Sequence, residues 1–196
     1  MRSRLIALAT VIGLVAATSA NAGHHLWDTT EIFSNAAGTV QFIELFTADN
    51  NEQNVGAFTV TSGANTFNFV TNLPTAATAN TWILIGTANV AGLPGGITPD
   101  YIMPAHFFNT GGGTINYAGV DIWNYGAVPT DGINSLQRNG STAVNSPRNF
   151  AGASGSLVLG NTVPAMQTWG LVALVGGLLL LASGLLKRRE ANTVAA

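Results

Sequence analysis

Cysteine is absent from this 196-residue chain, which excludes disulfides, thiolate metal sites and a cysteine nucleophile. Positive charge is nearly absent from its middle: five of the seven basic residues, Arg2, Arg4, Lys187, Arg188 and Arg189, flank two apolar segments at the ends. Between residues 23 and 163 only Arg138 and Arg148 stand against eight acids, a surplus of six negative charges. That balance argues against nucleic acid as a partner, because a phosphate backbone is held by clustered Lys and Arg. Phosphate-cradle motifs are missing too: Gly111, Gly112 and Gly113 form neither GxGxxG nor a P-loop and lack the lysine, so they read as a turn.

The ends carry targeting information. Residues 1–22 place Arg2 and Arg4 before an apolar run, then a polar stretch with small residues at Ala20 and Ala22. This is the three-part pattern of a signal peptide, with cleavage expected after Ala22. The apolar run is shorter than the ~20 residues that span hydrocarbon, which argues against a permanent anchor. At the other end, residues 169–186 form an uncharged segment of eighteen residues followed by Lys187, Arg188 and Arg189. It is long enough to span as a transmembrane helix, and the basic cluster keeps the stub 190–196 cytoplasmic.

The stretch VPAMQTWGLVALVGGLLLLASGLLKRR, residues 163–189, resembles the C-terminal sorting signals of bacterial surface proteins of the Ile-Pro-Thr-Leu type. Val163, Pro164 and Met166 stand at its Ile, Pro and Leu positions, Trp169 and Gly170 form its Trp-Gly pair, and Ala165 and Gln167 depart from it. The resemblance, shared in logic with Pro-Glu-Pro signals, implies a membrane-held tail recognised by a membrane-embedded sorting enzyme. A plain permanent anchor is the alternative.

The middle reads as all-β. Short runs rich in Val, Ile, Phe, Thr and Trp are punctuated by Gly, Pro, Asn and Asp, and no apolar helical stripe competes. Strands are expected over residues 39–47, 57–61, 66–70, 81–86, 100–104, 114–117, 120–125 and 136–138. The run TWILIG, 81–86, is apolar on both faces and is the candidate for a central buried strand. Residues 139–162 are rich in Ser, Gly, Ala and Asn, and residues 151–162 are expected as a flexible linker.

FIELF (42–46), TWILIGTA (81–88), PDY (99–101), GGGTINY (111–117), DIWNYG (121–126), DGINSLQR (131–138) and SPRN (146–149) occur in an order that resembles the lamin-tail domain. The resemblance implies an immunoglobulin-like β-sandwich over residues 23–150, in an accessory, binding or scaffolding role and not an enzymatic one. It implies no cofactor.

Several residues invite chemical readings. Cleavage after Ala22 exposes Gly23-His24-His25, where an amine, two backbone nitrogens and the His25 imidazole suit Cu(II) or Ni(II); a loose terminus is the bland alternative. Asp49, Asn51, Glu52 and Gln53 make an oxygen-rich loop of the kind Ca²⁺ uses, without the spacing of a full calcium loop. His106 is a candidate base if Asp121 or Asp100 orients it, but GASGS (152–156) lacks the final Gly of a nucleophile elbow. Glu44 and Asp121 are a candidate carboxylate pair for glycoside cleavage, with little weight among so many acids. Arg138 is expected to close the sandwich through an ion pair or a carbonyl contact, with ligand binding as the lesser alternative. Among Trp27, Trp82 and Trp123, Trp82 is expected in the core and Trp123 at the surface, where its ring would stack on sugar. These readings lead to an exported surface or matrix protein, with a polysaccharide- or metal-binding module as the alternative.

Overall fold

Over residues 23–159, the part of the chain that the computed structural model describes, the short β-branched and aromatic runs form ten strands and no α-helix. They are β1 Asp28–Ser34, β2 Gln41–Thr47, β3 Thr59–Ser62, β4 Asn65–Asn68, β5 Thr81–Gly86, β6 Tyr101–Ile102, β7 Gly113–Tyr117, β8 Asp121–Tyr125, β9 Asn134–Gln137 and β10 Thr142–Val144. One 3-10 turn, Val90–Gly92, follows β5. A six-stranded sheet runs in the order β10-β9-β1-β2-β5-β6, and a four-stranded sheet in the order β4-β3-β7-β8. The β5–β6 pair is parallel and the others are antiparallel. The expected signal-peptide and transmembrane helices lie outside the described residues.

Alternation along each strand decides what faces the core. Ile32, Ile43, Leu45, Ile83 and Ile85 of the larger sheet join Val60, Phe67, Ile115, Tyr117, Trp123 and Tyr125 of the smaller one in a single buried cluster. The all-β class is thus observed as two sheets sharing one core. The other parity of the larger sheet is buried as well: Phe33, Phe42 and Leu84 form a second cluster with Val40, Val90 and Leu157, covered by Leu93, Ile97 and Leu159. This explains why TWILIG is apolar on both faces. It is penultimate in its sheet, between β2 and β6, and it is buried from both sides.

Three features differ from the expectations, one being β10, Thr142–Val144, which falls where no strand was expected. β1 was not among the expected strands, yet it lies inside the larger sheet between β9 and β2. Its sequence DTTEIFS hides the strand because Thr29 and Glu31 are buried at polar positions, with a register shift between them. The expected linker 151–162 is fixed over residues 151–159. Leu157 is fully buried, and the Ser156, Val158 and Leu159 amides donate to Gly95, Pro94 and Gly132 carbonyls. Leu157 and Leu159, set among small residues, cover a sheet here instead of spacing a domain from something else; residues 160–162 lie outside the described residues.

Candidate functional site

The acids come first, because most of them are not where an acidic surface would put them. Glu31 and Glu44 are buried and directly opposite each other on β1 and β2. The Ser146 amide and hydroxyl each donate to Glu31 at 2.9 Å. The Arg148 amide donates to Glu44 at 2.8 Å, and Thr30 Oγ1 adds a bond at 2.9 Å. Asp100 accepts from the Leu84 amide at 2.8 Å and the Phe150 amide at 2.9 Å. Three carboxylates therefore pin the segment around SPRN across the larger sheet. Asn149 extends the strap, donating to the Thr98 carbonyl and accepting from the Ala153 amide, both at 2.9 Å.

Burial lifts the Glu44 carboxyl from 4.5 to about 7, against the pull of Arg148, with Glu31 across the strand pair adding to the rise. Burial likewise raises Asp100, against the hydrogen bonds from Leu84 and Phe150. Both arginines work from the rim of the domain, their side chains 39% exposed. Arg148 lies 4.1 Å over the Trp82 ring and reaches Glu44 at 3.3 Å. Arg138 grips buried Asp121 with two bonds, at 2.6 and 3.1 Å, and lies 5.5 Å over Trp123. Since Arg138 follows β9 and Asp121 opens β8, this pair ties the two sheets together, the role expected of Arg138.

The candidate chemistry rearranges accordingly. Trp123 is 6% exposed and packs with Tyr125, so it offers no face to a sugar; Trp82 is half-buried under Arg148, and Trp27 is buried. The expected places of Trp82 and Trp123 are exchanged, because Trp123 shares the inward parity of Asp121 and Tyr125 on β8. Asp121 and Asp100 are both engaged elsewhere, so neither carboxylate is free to orient His106. Glu44 and Asp121 are each bonded to an arginine and a backbone amide.

His25 is exposed, but its neighbours are not loose: the Asn54 amide donates to the Gly23 carbonyl at 2.6 Å and the Tyr117 hydroxyl to the His24 carbonyl at 2.8 Å. His24 stacks on Phe58 with ring centroids 3.4 Å apart. In the oxygen-rich loop only part of the donor set faces out. Asp49 is exposed, whereas Glu52 is buried and accepts from the Leu26 amide at 3.1 Å. Among the described residues no three His, Cys, Asp or Glu side chains converge as a metal site. Ala20, Ala22, Val163, Pro164, Met166, Trp169, Gly170, Lys187, Arg188 and Arg189 lie outside the described residues.

A site that the sequence reading did not find lies at one end of the two sheets, a cleft of about 850 Å³. Its walls come from the β1–β2, β3–β4 and 106–114 loops, with Thr61, Asn116 and Tyr125 from the smaller sheet. Fully buried Gln41 organises it: its side-chain oxygen accepts from the Phe107 amide at 2.7 Å, and its nitrogen donates to the Phe108 carbonyl at 2.9 Å. Asn65 donates to the His106 and Phe107 carbonyls at 3.1 and 2.7 Å, joining the β3–β4 turn to the same loop. His106 sits at φ +57°, and the facing Gly38, at φ +68°, leaves no room for a Cβ, which would stand 2.7 Å from His106 Nδ1. No Asp, Glu, Lys or Arg lines the cleft.

Three residues of the cleft lining, Thr61, Thr114 and Asn116, lie on the outer face of the smaller sheet. With Val60, Phe67, Ile115 and Trp123 turned inward, that face carries Thr59, Thr61, Thr66, Asn68, Thr114, Asn116, Ile122 and Asn124. Thr66, Thr61, Asn116 and Ile122 form one row across all four strands.

No family model, no curated protein and no solved structure matches the chain. What the fold and site define is a class: a two-sheet all-β domain whose carboxylates are largely internal and which carries a cleft without Asp, Glu, Lys or Arg.

Proposed function

We propose that this chain is an exported bacterial cell-surface or extracellular-matrix protein built on a non-catalytic, immunoglobulin-like sandwich of the lamin-tail type. A signal peptide ending at Ala22 exports it, and the sorting signal with its apolar helix, residues 163–189, holds it at the membrane for a sorting enzyme. The observation that carries the reading is the pair of targeting patterns bracketing one folded unit. Among the described residues, Gly23 and Leu159 both take part in tertiary hydrogen bonds, so the folded unit reaches close to both patterns. The strap around SPRN supports the lamin-tail reading: the most specific pieces of that resemblance, DGINSLQR and SPRN, supply Arg138, Ser146, Arg148 and Asn149, the residues that close the domain.

The test is the intact mass of the protein in envelope and culture-supernatant fractions of its native host. A product starting at Gly23 and lacking everything after about Trp169 supports sorting and release. A product that retains Lys187, Arg188 and Arg189 in the membrane leaves a simple anchored surface domain. A product that retains residues 1–22 in the cytoplasm overturns the reading.

A further inference from the structure

We infer that the cleft beneath the Gln41-braced loop is a binding site for an uncharged polysaccharide chain, which continues from the cleft onto the outer face of the four-stranded sheet. This rests on the domain lying outside the cell, and it names what the domain meets there.

Charge is the first argument. The cleft has about 850 Å³ of space and a lining with His106 but no Asp, Glu, Lys or Arg, so a charged ligand would lose its hydration without a carboxylate, ammonium or guanidinium to replace it. A polyol has no such cost. Its hydroxyls both donate and accept, and the lining offers both functions through the Thr61 hydroxyl and the amides of Asn109 and Asn116, with the Thr114 hydroxyl, which donates to Asn124 at 2.7 Å, left as an acceptor. Asn116 illustrates the arrangement: its oxygen accepts from the Gly119 amide at 2.8 Å, which fixes the side chain in place and leaves its NH₂ group without a partner among the described residues. Asn109 is set the same way, its oxygen accepting from Gly111 at 2.8 Å.

Rigidity is the second argument. The cleft walls are joined by side-chain bonds from buried Gln41 and from Asn65, and the Tyr125 hydroxyl donates to the Asn109 carbonyl at 3.0 Å. A preformed site reduces the ordering cost that weakens recognition of flexible sugars. Continuity is the third. Thr61 and Asn116 belong both to the cleft and to the row that crosses the open sheet, a neutral track about 14 Å wide at the usual ~4.8 Å strand spacing. A single sugar would fill only the cleft, whereas a polymer uses both.

The full chain, kept in a zwitterionic detergent that carries no sugar, is run through native gels containing dextran, mannan or galactan, with alginate as the charged control. At least one neutral polymer should retard it, and alginate should not. Asn116→Asp preserves the acceptor for Gly119 while removing the NH₂ and adding charge, and Thr61→Val removes one hydroxyl at constant shape. Each should weaken retardation about tenfold, while Thr142→Val on β10, in the other sheet, should leave it unchanged. Thermal melting confirms that the variants are folded. Failure of all three neutral polymers, equal retardation of the cleft variants and the native chain, or retardation by alginate alone overturns the proposal. So does self-association that Asn116→Asp abolishes, which would assign the face to a second copy of the chain. Host-cell fractionation is independent of all these outcomes, so the export reading stands or falls separately.

Discussion

The two sheets of this domain treat polarity in opposite ways. The six-stranded sheet is covered on both faces, by the smaller sheet inside and by residues 90–97 and 145–159 outside, and it buries Glu31 and Glu44 beneath the second cover. Among the described residues the four-stranded sheet is covered once, and its other face carries Thr, Asn and one Ile without a single charge. A chain with a nominal surplus of acid thus folds with most of its acids bonded to main-chain amides and a neutral polar face on its smaller sheet. Charge counted along a sequence says nothing about where the charge resides. The larger sheet is built for holding the chain together, the smaller for meeting something uncharged.

The sharpest way to break that contrast is to treat the outer face of the larger sheet as if it were surface. Leu84 lies there, fully buried with Phe42, Val90 and Leu157. Leu84→Ala should cost about 3 kcal/mol in chemical denaturation, as in a true core. A loss below about 0.5 kcal/mol, the range of surface changes, would mean that the cover formed by residues 145–159 contributes little.

Next in size is the pH response of the strap. Glu44 carries a carboxyl at about 7 in the folded protein against an ordinary 4.5, so between those values the folded state binds a proton that the unfolded state has released. Its contribution to stability therefore falls as pH rises from about 4.5 to 7 and is flat above, a change of about 3 kcal/mol. Urea denaturation at pH 5 and pH 8 should show the larger stability at pH 5, and Glu44→Gln should flatten the difference. A Glu44→Gln protein with an unchanged slope would place the titrating group elsewhere.

How much of this was legible beforehand depends on parity. β5 was readable to its ends, because six consecutive strand residues bounded by turn chemistry leave little choice. β8 is legible as a strand, and its period of two turns Trp123 inward: Asp121, Trp123 and Tyr125 share one face, and two of the three are large aromatics that seek the core. β1 was illegible for a physical reason, since its buried positions include Thr29 and Glu31, and the partners of the Thr29 amide and the Glu31 carboxylate lie far along the chain at residues 121 and 146. The cleft was equally hidden. Gln41, Asn65 and His106 are ordinary polar residues until the fold brings them within hydrogen-bond distance of one loop.

The link between the sheets predicts a smaller effect. Asp121→Ala leaves the Thr29 amide without its acceptor at 2.8 Å and Arg138 without its partner. The cost should be about 2 kcal/mol, most of it from the buried amide, because the exposed guanidinium can turn to water. If Arg138→Ala alone proves as costly as Asp121→Ala, the ion pair and not the amide bond carries the tie.

The smallest expected effect tests the other half of the comparison. Ile122 is 55% exposed in the row with Thr61 and Asn116, where its side chain adds apolar surface to an otherwise hydroxyl and amide face. Ile122→Thr keeps the β-branched shape that a strand favours and makes the row uniformly polar. Denaturation should register a change within about 0.5 kcal/mol, since little is buried and no bond is lost. A loss several times larger would mean that the open face is covered in solution, by a second copy of the chain or by the residues beyond 159, and that the apparent neutrality of the smaller sheet serves an interface. A negligible change together with altered retardation in neutral polysaccharide gels would keep the face what its chemistry suggests, a surface selected for contact and not for stability.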